Sequence, residues 1–273
     1  MQSNPRPRRR SLLALAAVAV LATLVVACNS TPAPSLLSDP TAILTAAATN
    51  AGTAKSVHVD AVASGKLPID LAGAGASAGI DLTGTTASVD ADLAGGDVHA
   101  TFAAPGLLGV RGEVIMVDGS TYLKTTLTGP LYQKQGGTTT TAPTPSVDPA
   151  TMIKGLQDLL AQPGVDPVKG ADVACGSATC YTVEIELTPA ELAALTAGGG
   201  PIPSGLPIPI PSLDQATIDL TFKVDQATTR LAGLTAVVGL GPDSSATLEA
   251  TFSKWDEGVT VSAPPPDQIA PSS

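Results

Sequence analysis

Serine, histidine, aspartate and cysteine are the residues of this sequence that could do chemistry, and their spacing limits what that chemistry is. Gly75-Ala76-Ser77-Ala78-Gly79 has the G-x-S-x-G form of a nucleophile elbow, in which a strand-to-helix turn lifts a serine hydroxyl toward a histidine base. Only alanine and glycine surround Ser77, an alternating pattern rather than a helical one follows, and His99 is the single histidine downstream. The match reads as chance: no catalytic residue is assigned, and the chain is not expected to be an enzyme. His58 with Asp60, and Asp97 with His99, are i, i+2 pairs whose side chains share a strand face. Two such pairs on neighbouring strands could bind a metal. The same pattern is the ordinary solvent face of a half-exposed sheet, and no metal or other cofactor is expected. No phosphate-binding loop is present, and Asp118-Gly119 is turn chemistry.

The three cysteines divide by context. Cys28 follows a cluster of Arg6, Arg8, Arg9 and Arg10 and an uncharged run from Leu12 to Val26, the size of a secretory h-region and short of the ~20 apolar residues that a bilayer span needs. Val25-Val26-Ala27 before Cys28 resembles the bacterial lipobox, in which the preceding peptide is cleaved and the cysteine sulfur receives diacylglycerol. That leaves Cys175 and Cys180 in "CGSATCY" as a pair. In an exported protein this spacing reads as a disulfide fixing a small hairpin loop. The organisation expected is therefore a signal peptide over 1–27, a flexible tether over 28–38, one domain over 39–264 and a Pro-rich tail over 265–273.

Charge excludes one class of partner. Removal of 1–27 takes four arginines and leaves 10 basic against 24 acidic residues, a net charge of -14. Nucleic acid demands clustered Lys and Arg, so it is not expected as a partner, and contact with a membrane must come from the covalent anchor. Apolar residues make up 44% of the chain but aromatics only 3%, so a core or cavity is built of Ala, Val, Leu and Ile.

The elements that must position these residues follow from periodicity. "DPTAILTAAATNAG" is a helix with Asp39 as N-cap and Pro40 first. From Ser56 to about Lys134 the sequence alternates apolar with polar and breaks at Gly, Pro and Asp-Gly, the pattern of an antiparallel meander with one polar face. "VDPATMIKGLQDLLAQPG" repeats the cap logic with an apolar stripe at helical spacing. Two strands follow, joined by the Cys175–Cys180 turn. "TPAELAALTAGGG" is a third helix with Thr188 as cap and Glu191 three residues on, a capping box. "GGGPIPSGLPIPIPS" is an extended loop, and the remainder, through "GVTVSAPPP", gives about four more strands. The fold class is α+β, mainly β: one large antiparallel sheet of about ten strands that must curl into a half-barrel, with about three helices on its concave face. Ile153, Leu156 and Leu160 of the second helix, with Val57, Val59, Ile115 and Val117 on strands, are the candidate cavity-lining residues; plain core is the other reading of the same set.

The order of lipobox, tether, helix, meander, "VDPATMIKGLQDLL", "C-x4-C-Y-x-V", "LTPAEL" and "FSKWDEGVTVSAPPP" resembles the LppX and LprA/LprF/LprG family of bacterial lipoproteins, and more broadly the LolA and LolB carriers. The resemblance covers essentially the whole mature chain. It implies a half-barrel with a hydrophobic cavity that holds an acylated lipid or glycolipid and carries it within the cell envelope, outside the cytoplasm and anchored at Cys28, with an envelope transporter as a candidate partner. The "ASGKLPIDLAGAGASAG" and "PIPSGLPIPIPS" segments are longer than that pattern expects. A structural or interaction lipoprotein with a filled core is the alternative.

Overall fold

The structure is a computed structural model that describes residues 36–69, 78–135, 158–162, 164–197, 216–240 and 244–271. Contacts group Leu37–Ser273 into one compact unit. Helix α1 (Pro40–Thr53) begins as the sequence predicts: Asp39 is extended and its carboxylate accepts the Thr41 N–H at 3.1 Å. Six strands follow as a meander, β1 (Ser56–Ile69), β2 (Ala78–Asp81), β3 (Thr85–Asp92), β4 (Asp97–Ala104), β5 (Val110–Val117) and β6 (Ser120–Thr125), with β7 (Gln133–Gln135) at its edge. The β5–β6 connection is the Asp118-Gly119 pair, both at positive φ (51° and 68°), as a tight two-residue hairpin turn requires.

The second group is β8 (Val168–Lys169), β9 (Val173–Cys175), β10 (Ala178–Leu187), helix α2 (Pro189–Ala197), β11 (Thr217–Asp225), β12 (Leu231–Gly239) and β13 (Ser245–Ser253). Cys175 and Cys180 are bonded across the β9–β10 hairpin, their Cα atoms 5.9 Å apart. The capping box of α2 forms as expected: Glu191 accepts the Thr188 N–H at 2.7 Å, and Thr188 Oγ1 accepts the Glu191 N–H at 3.5 Å. Of the second predicted helix, residues 158–160 are helical; its earlier residues, including Ile153 and Leu156, lie outside the described residues.

The thirteen strands among the described residues belong to one open antiparallel sheet in the order β7-β6-β5-β4-β3-β1-β13-β12-β11-β10-β8, with β2 pairing the far end of β1 and β9 pairing β10. The seam is β1 against β13, in register from His58–Ser253 to Gly65–Ala246. The first strand and the last thus join the two groups. The strand expected in "GVTVSAPPP" does not form. Its prolines cannot donate to a ladder, and residues 257–265 instead run as irregular chain to a short 3-10 helix, Pro266–Gln268. Beyond it Ile269 pairs with Tyr132, whose N–H donates to Gln268 O and whose carbonyl accepts the Ala270 N–H, both at 2.8 Å.

Helix α1 packs on β10, β11 and β12, and this face of the sheet is called inner. The core there comprises Ile43, Leu44, Tyr181, Val183, Ile185, Leu192 and Val224, each 2% exposed or less, with Phe222 and Leu159. Each aliphatic side chain so buried contributes about 1.5–3 kcal/mol. The Tyr181 hydroxyl, inside this core, accepts the Leu37 N–H at 2.8 Å and so ties the start of the domain to the sheet. At one end of the sheet Asp256 accepts the Lys55 N–H at 2.7 Å and pairs with Arg230. Trp255 there donates its indole N–H to Leu231 O at 3.0 Å and lies 6.2 Å from the ring of Phe252.

Candidate functional site

Because side chains alternate and directly paired residues share a face, the registers define both faces across the whole sheet. One inner row runs Val183, Phe222, Leu234, Ala250, Ala61, Ala87, Phe102, Gly112. The next runs Phe252, Val59, Val89, Ala100, Val114, Leu123. The inner face is therefore apolar from β10 to β6. Its covering is uneven. Over β10 and β11 the residues are sealed beneath α1, α2 and Leu159, whereas Val59, Ala61, Val89, Ala87, Ala100, Val114 and Leu123 are only half-buried, and Leu248 on β13 is exposed. Alanine and glycine make this second half low, and Phe102 lies across it: a Cβ on Gly112 would fall 2.3 Å from the Phe102 ring.

The outer face carries the polar rows. His58, Asp90 and His99 are successive cross-strand partners, as are Asp60, Ser88, Thr101, Glu113 and Lys124. Both ring nitrogens of His58 meet carboxylates, Nδ1 to Asp90 at 2.6 Å and Nε2 to Asp60 at 3.1 Å. The hydrogen bond to Asp90, with that to Asp60, outweighs burial and holds the imidazole pKa above its ordinary value. Glu113 accepts from Lys124 at 2.8 Å and contacts His99 at 2.9 Å. Burial works to raise its pKa, but the hydrogen bonds from Lys124, Tyr132 and His99 prevail and bring it down to about 2. These contacts are carboxylate pairs of a sheet surface, and among the described residues no cluster of three or more His, Cys, Asp or Glu could hold a metal ion. Beside them is a shallow hollow of about 390 Å³, walled by Asp60, Ser88 and Thr101 on one side and Val62, Thr86 and Ala103 on the other.

The candidate lining residues separate. Val57 and Val59 are on the inner face, Val57 buried at the end of the sheet and Val59 half-buried within the apolar row. Leu160 packs against the helix-covered core. Ile115 and Val117 require correction. Ile115 pairs with His99 and Tyr122, which puts it and Val117 on the outer face, where they form a second cluster with Tyr122, Tyr132, Val261 and Ile269. Strand β5 is apolar on both faces here, covered outside by the C-terminal segment and forming part of the half-buried apolar rows inside, so Val114-Ile115-Met116-Val117 carries no alternation to fix its phase. Val89, Ala100, Val114 and Leu123 form the inner row at these strands, and in the sequence only Val89 and Ala100 are marked as such, by the polar Ser88, Asp90, His99 and Thr101 that flank them. Cys28 and Ser77 lie outside the described residues.

No family model and no curated protein matches this chain. Its structure is similar to the crystal structure of LprF from Mycobacterium bovis, with 16% identity over 82% of this chain and 96% of that one, at a TM-score of 0.49. It is similar also to that of the lipoprotein LppX from Mycobacterium tuberculosis, with 15% identity over 82% of this chain and all of the other, at 0.39. MucB of Pseudomonas aeruginosa, in complex with MucA, gives 13% identity over 86% of this chain and 62% of that one, at 0.36.

Proposed function

We propose that this protein is a lipoprotein of the cell envelope that holds the acyl chains of a lipid or glycolipid against the inner face of its sheet and carries them between membranes or envelope partners. One observation carries the reading. The inner face stays apolar across β13, β1, β3, β4 and β5, while its side chains there remain half-buried among the described residues. An acyl chain laid on that surface leaves water at about 0.8 kcal/mol per buried methylene, so it needs no charged clamp, and none faces it in those rows. Among the described residues the histidine and carboxylate rows of β1, β3, β4 and β5 point to the opposite face, which supports sequestration rather than catalysis.

The leader supports the location. Its basic cluster, apolar run and Val25-Val26-Ala27-Cys28 fit export followed by lipidation at Cys28. Among the described residues no helix is long and apolar enough to cross a membrane. A covalent anchor at Cys28 would place the domain beside its lipid source, and an envelope transporter is the partner class that would supply or accept the cargo. The test is extraction of the protein from its native membrane followed by mass spectrometry of what accompanies it. Bound acyl lipid at near-stoichiometric yield is expected. A lipid-free protein whose inner face binds no acyl probe would overturn the reading in favour of a structural lipoprotein with a filled core.

A further inference from the structure

Three exposed leucines of the domain gather on two neighbouring turns at one corner of the sheet. Leu107 is 39% exposed and Leu108 93% exposed, both on the β4–β5 turn; Leu127, on the loop after β6, is 69% exposed. The two tips are neighbours. The Thr126 N–H donates to Arg111 O at 2.9 Å, and the Arg111 N–H to Thr126 Oγ1 at 3.2 Å. Both are closed by hydrogen bonds of their own, Gly109 N–H to Pro105 O at 3.0 Å and Gly129 N–H to Thr125 O at 3.2 Å. The β4–β5 tip also rests on the β2–β3 turn: a Cβ on Gly106 would fall 1.6 Å from Asp81 O, so only glycine permits the approach. Leu108 completes the pattern. It is held at φ 57°, a conformation that costs a leucine backbone energy and that glycine adopts freely, and it buries nothing in return.

Charge separates this corner from the rest of the molecule. In a chain of net charge -10, residues 98–112 and 119–136 contain Arg111, Lys124 and Lys134 and no acidic residue. Lys124 is paired with Glu113 lower on the sheet, whereas Arg111 is exposed at the base of the leucine tips. Asp81 on the adjoining turn accepts the Thr83 N–H at 2.9 Å and is drawn down in pKa by Thr83, with a smaller contribution from Lys66. Projecting leucines above a cationic base fit a surface that is apolar within and anionic at its rim.

We infer that the corner formed by Leu107, Leu108, Leu127 and Arg111 is a docking surface for an anionic lipid bilayer, the leucines entering the acyl boundary and the guanidinium meeting phosphate. This goes beyond lipid carriage and rests on the proposed function only in supposing a membrane within reach of the tether. The body's overall acidity, which argues against adsorption as a whole, then orients it corner first.

The experiment is flotation of the mature chain, carrying Cys28→Ser so that no acyl anchor contributes, with phosphatidylcholine vesicles made with and without phosphatidylglycerol. Binding to the phosphatidylglycerol vesicles is expected, and the double variant Leu107→Ser/Leu108→Gly should lower it about tenfold, the scale of one well-buried leucine. Arg111→Gln should remove the preference for phosphatidylglycerol. Leu108→Gly relaxes a left-handed residue, so the variant should melt no lower than the parent and loss of binding is not loss of fold. Absence of binding by the parent, or equal binding by the double variant, would overturn the inference. Equal binding to both vesicle types would overturn its anionic component, and a dimer in vesicle-free solution that the double variant abolishes would reassign the corner to a second copy of the chain. An acyl probe that still binds to a non-docking protein would leave the carrier reading standing.

Discussion

Phe102 and Gly112 are cross-strand partners on the inner face, and the phenyl ring occupies the space that any side chain at 112 would need, with a built Cβ falling 2.3 Å from Cζ and 3.0 Å from Lys124 O. The ring closes a gap in the sheet surface and bounds the alanine-lined half of the apolar face. Gly112→Ala should therefore displace the ring and cost about 1–3 kcal/mol, as overpacking does. In a Phe102→Ala background the same substitution should cost much less. Urea denaturation of the four proteins measures the coupling, and additive losses would show that the ring does not hold this place.

Inner and outer positions on one strand should respond oppositely in lipid carriage. Val89 faces inward and Thr86 outward on β3. A lysine at 89 would put a charge against acyl chains, at a burial cost of several kcal/mol, so Val89→Lys should abolish co-purified lipid and Thr86→Lys should leave it intact. Mass spectrometry of extracts from both variants decides, and equal lipid in the two would remove the inner face as the binding surface.

The outer face should make stability depend on pH in two windows. His58 has a folded pKa raised above 6.5, chiefly by Asp90, so its contribution is fully present below pH 6.5 and fades as pH rises through the folded value. Glu113 is lowered from 4.5 to about 2, so its contribution is present above pH 4.5 and is lost as pH falls toward 2. His58→Gln should flatten the alkaline window and leave the acidic one. Thermal melts across pH 2 to 9 check both, and an unchanged alkaline slope in His58→Gln would assign that window elsewhere.

The Cys175–Cys180 bond closes a six-residue loop, for which chain entropy predicts about 2 kcal/mol. Cys175→Ser/Cys180→Ser should lose that amount in denaturant midpoint and become insensitive to reductant. Since Cys180 is fully buried beside the core, a larger loss would measure the packing of its sulfur in addition.

Local signals carried far in this chain. Asp39 and Pro40, or Thr188 and Glu191, determine helix starts through contacts within four residues, and the cap hydrogen bonds form as the sequence predicts. Cys175 and Cys180 close on each other because a five-residue separation brings them together in any tight hairpin. Alternation on β3, where Val89 and Ala91 stand between Ser88, Asp90 and Asp92, fixes which face is dry. Where both faces are apolar that signal vanishes, so the phase of Ile115 and Val117 follows only from the pairing of Ile115 with His99 and Tyr122.

The sequence by itself determined a mainly β chain with a paired Cys hairpin, capped helices and an aliphatic interior, because composition, caps and period-two patterning act over a few residues. Only the tertiary structure decided that β1 joins β13, that the C-terminal segment covers the outside of β5, and that three leucines meet at one corner. Those relationships link residues up to about two hundred positions apart, and they follow from register and packing, which no local pattern encodes.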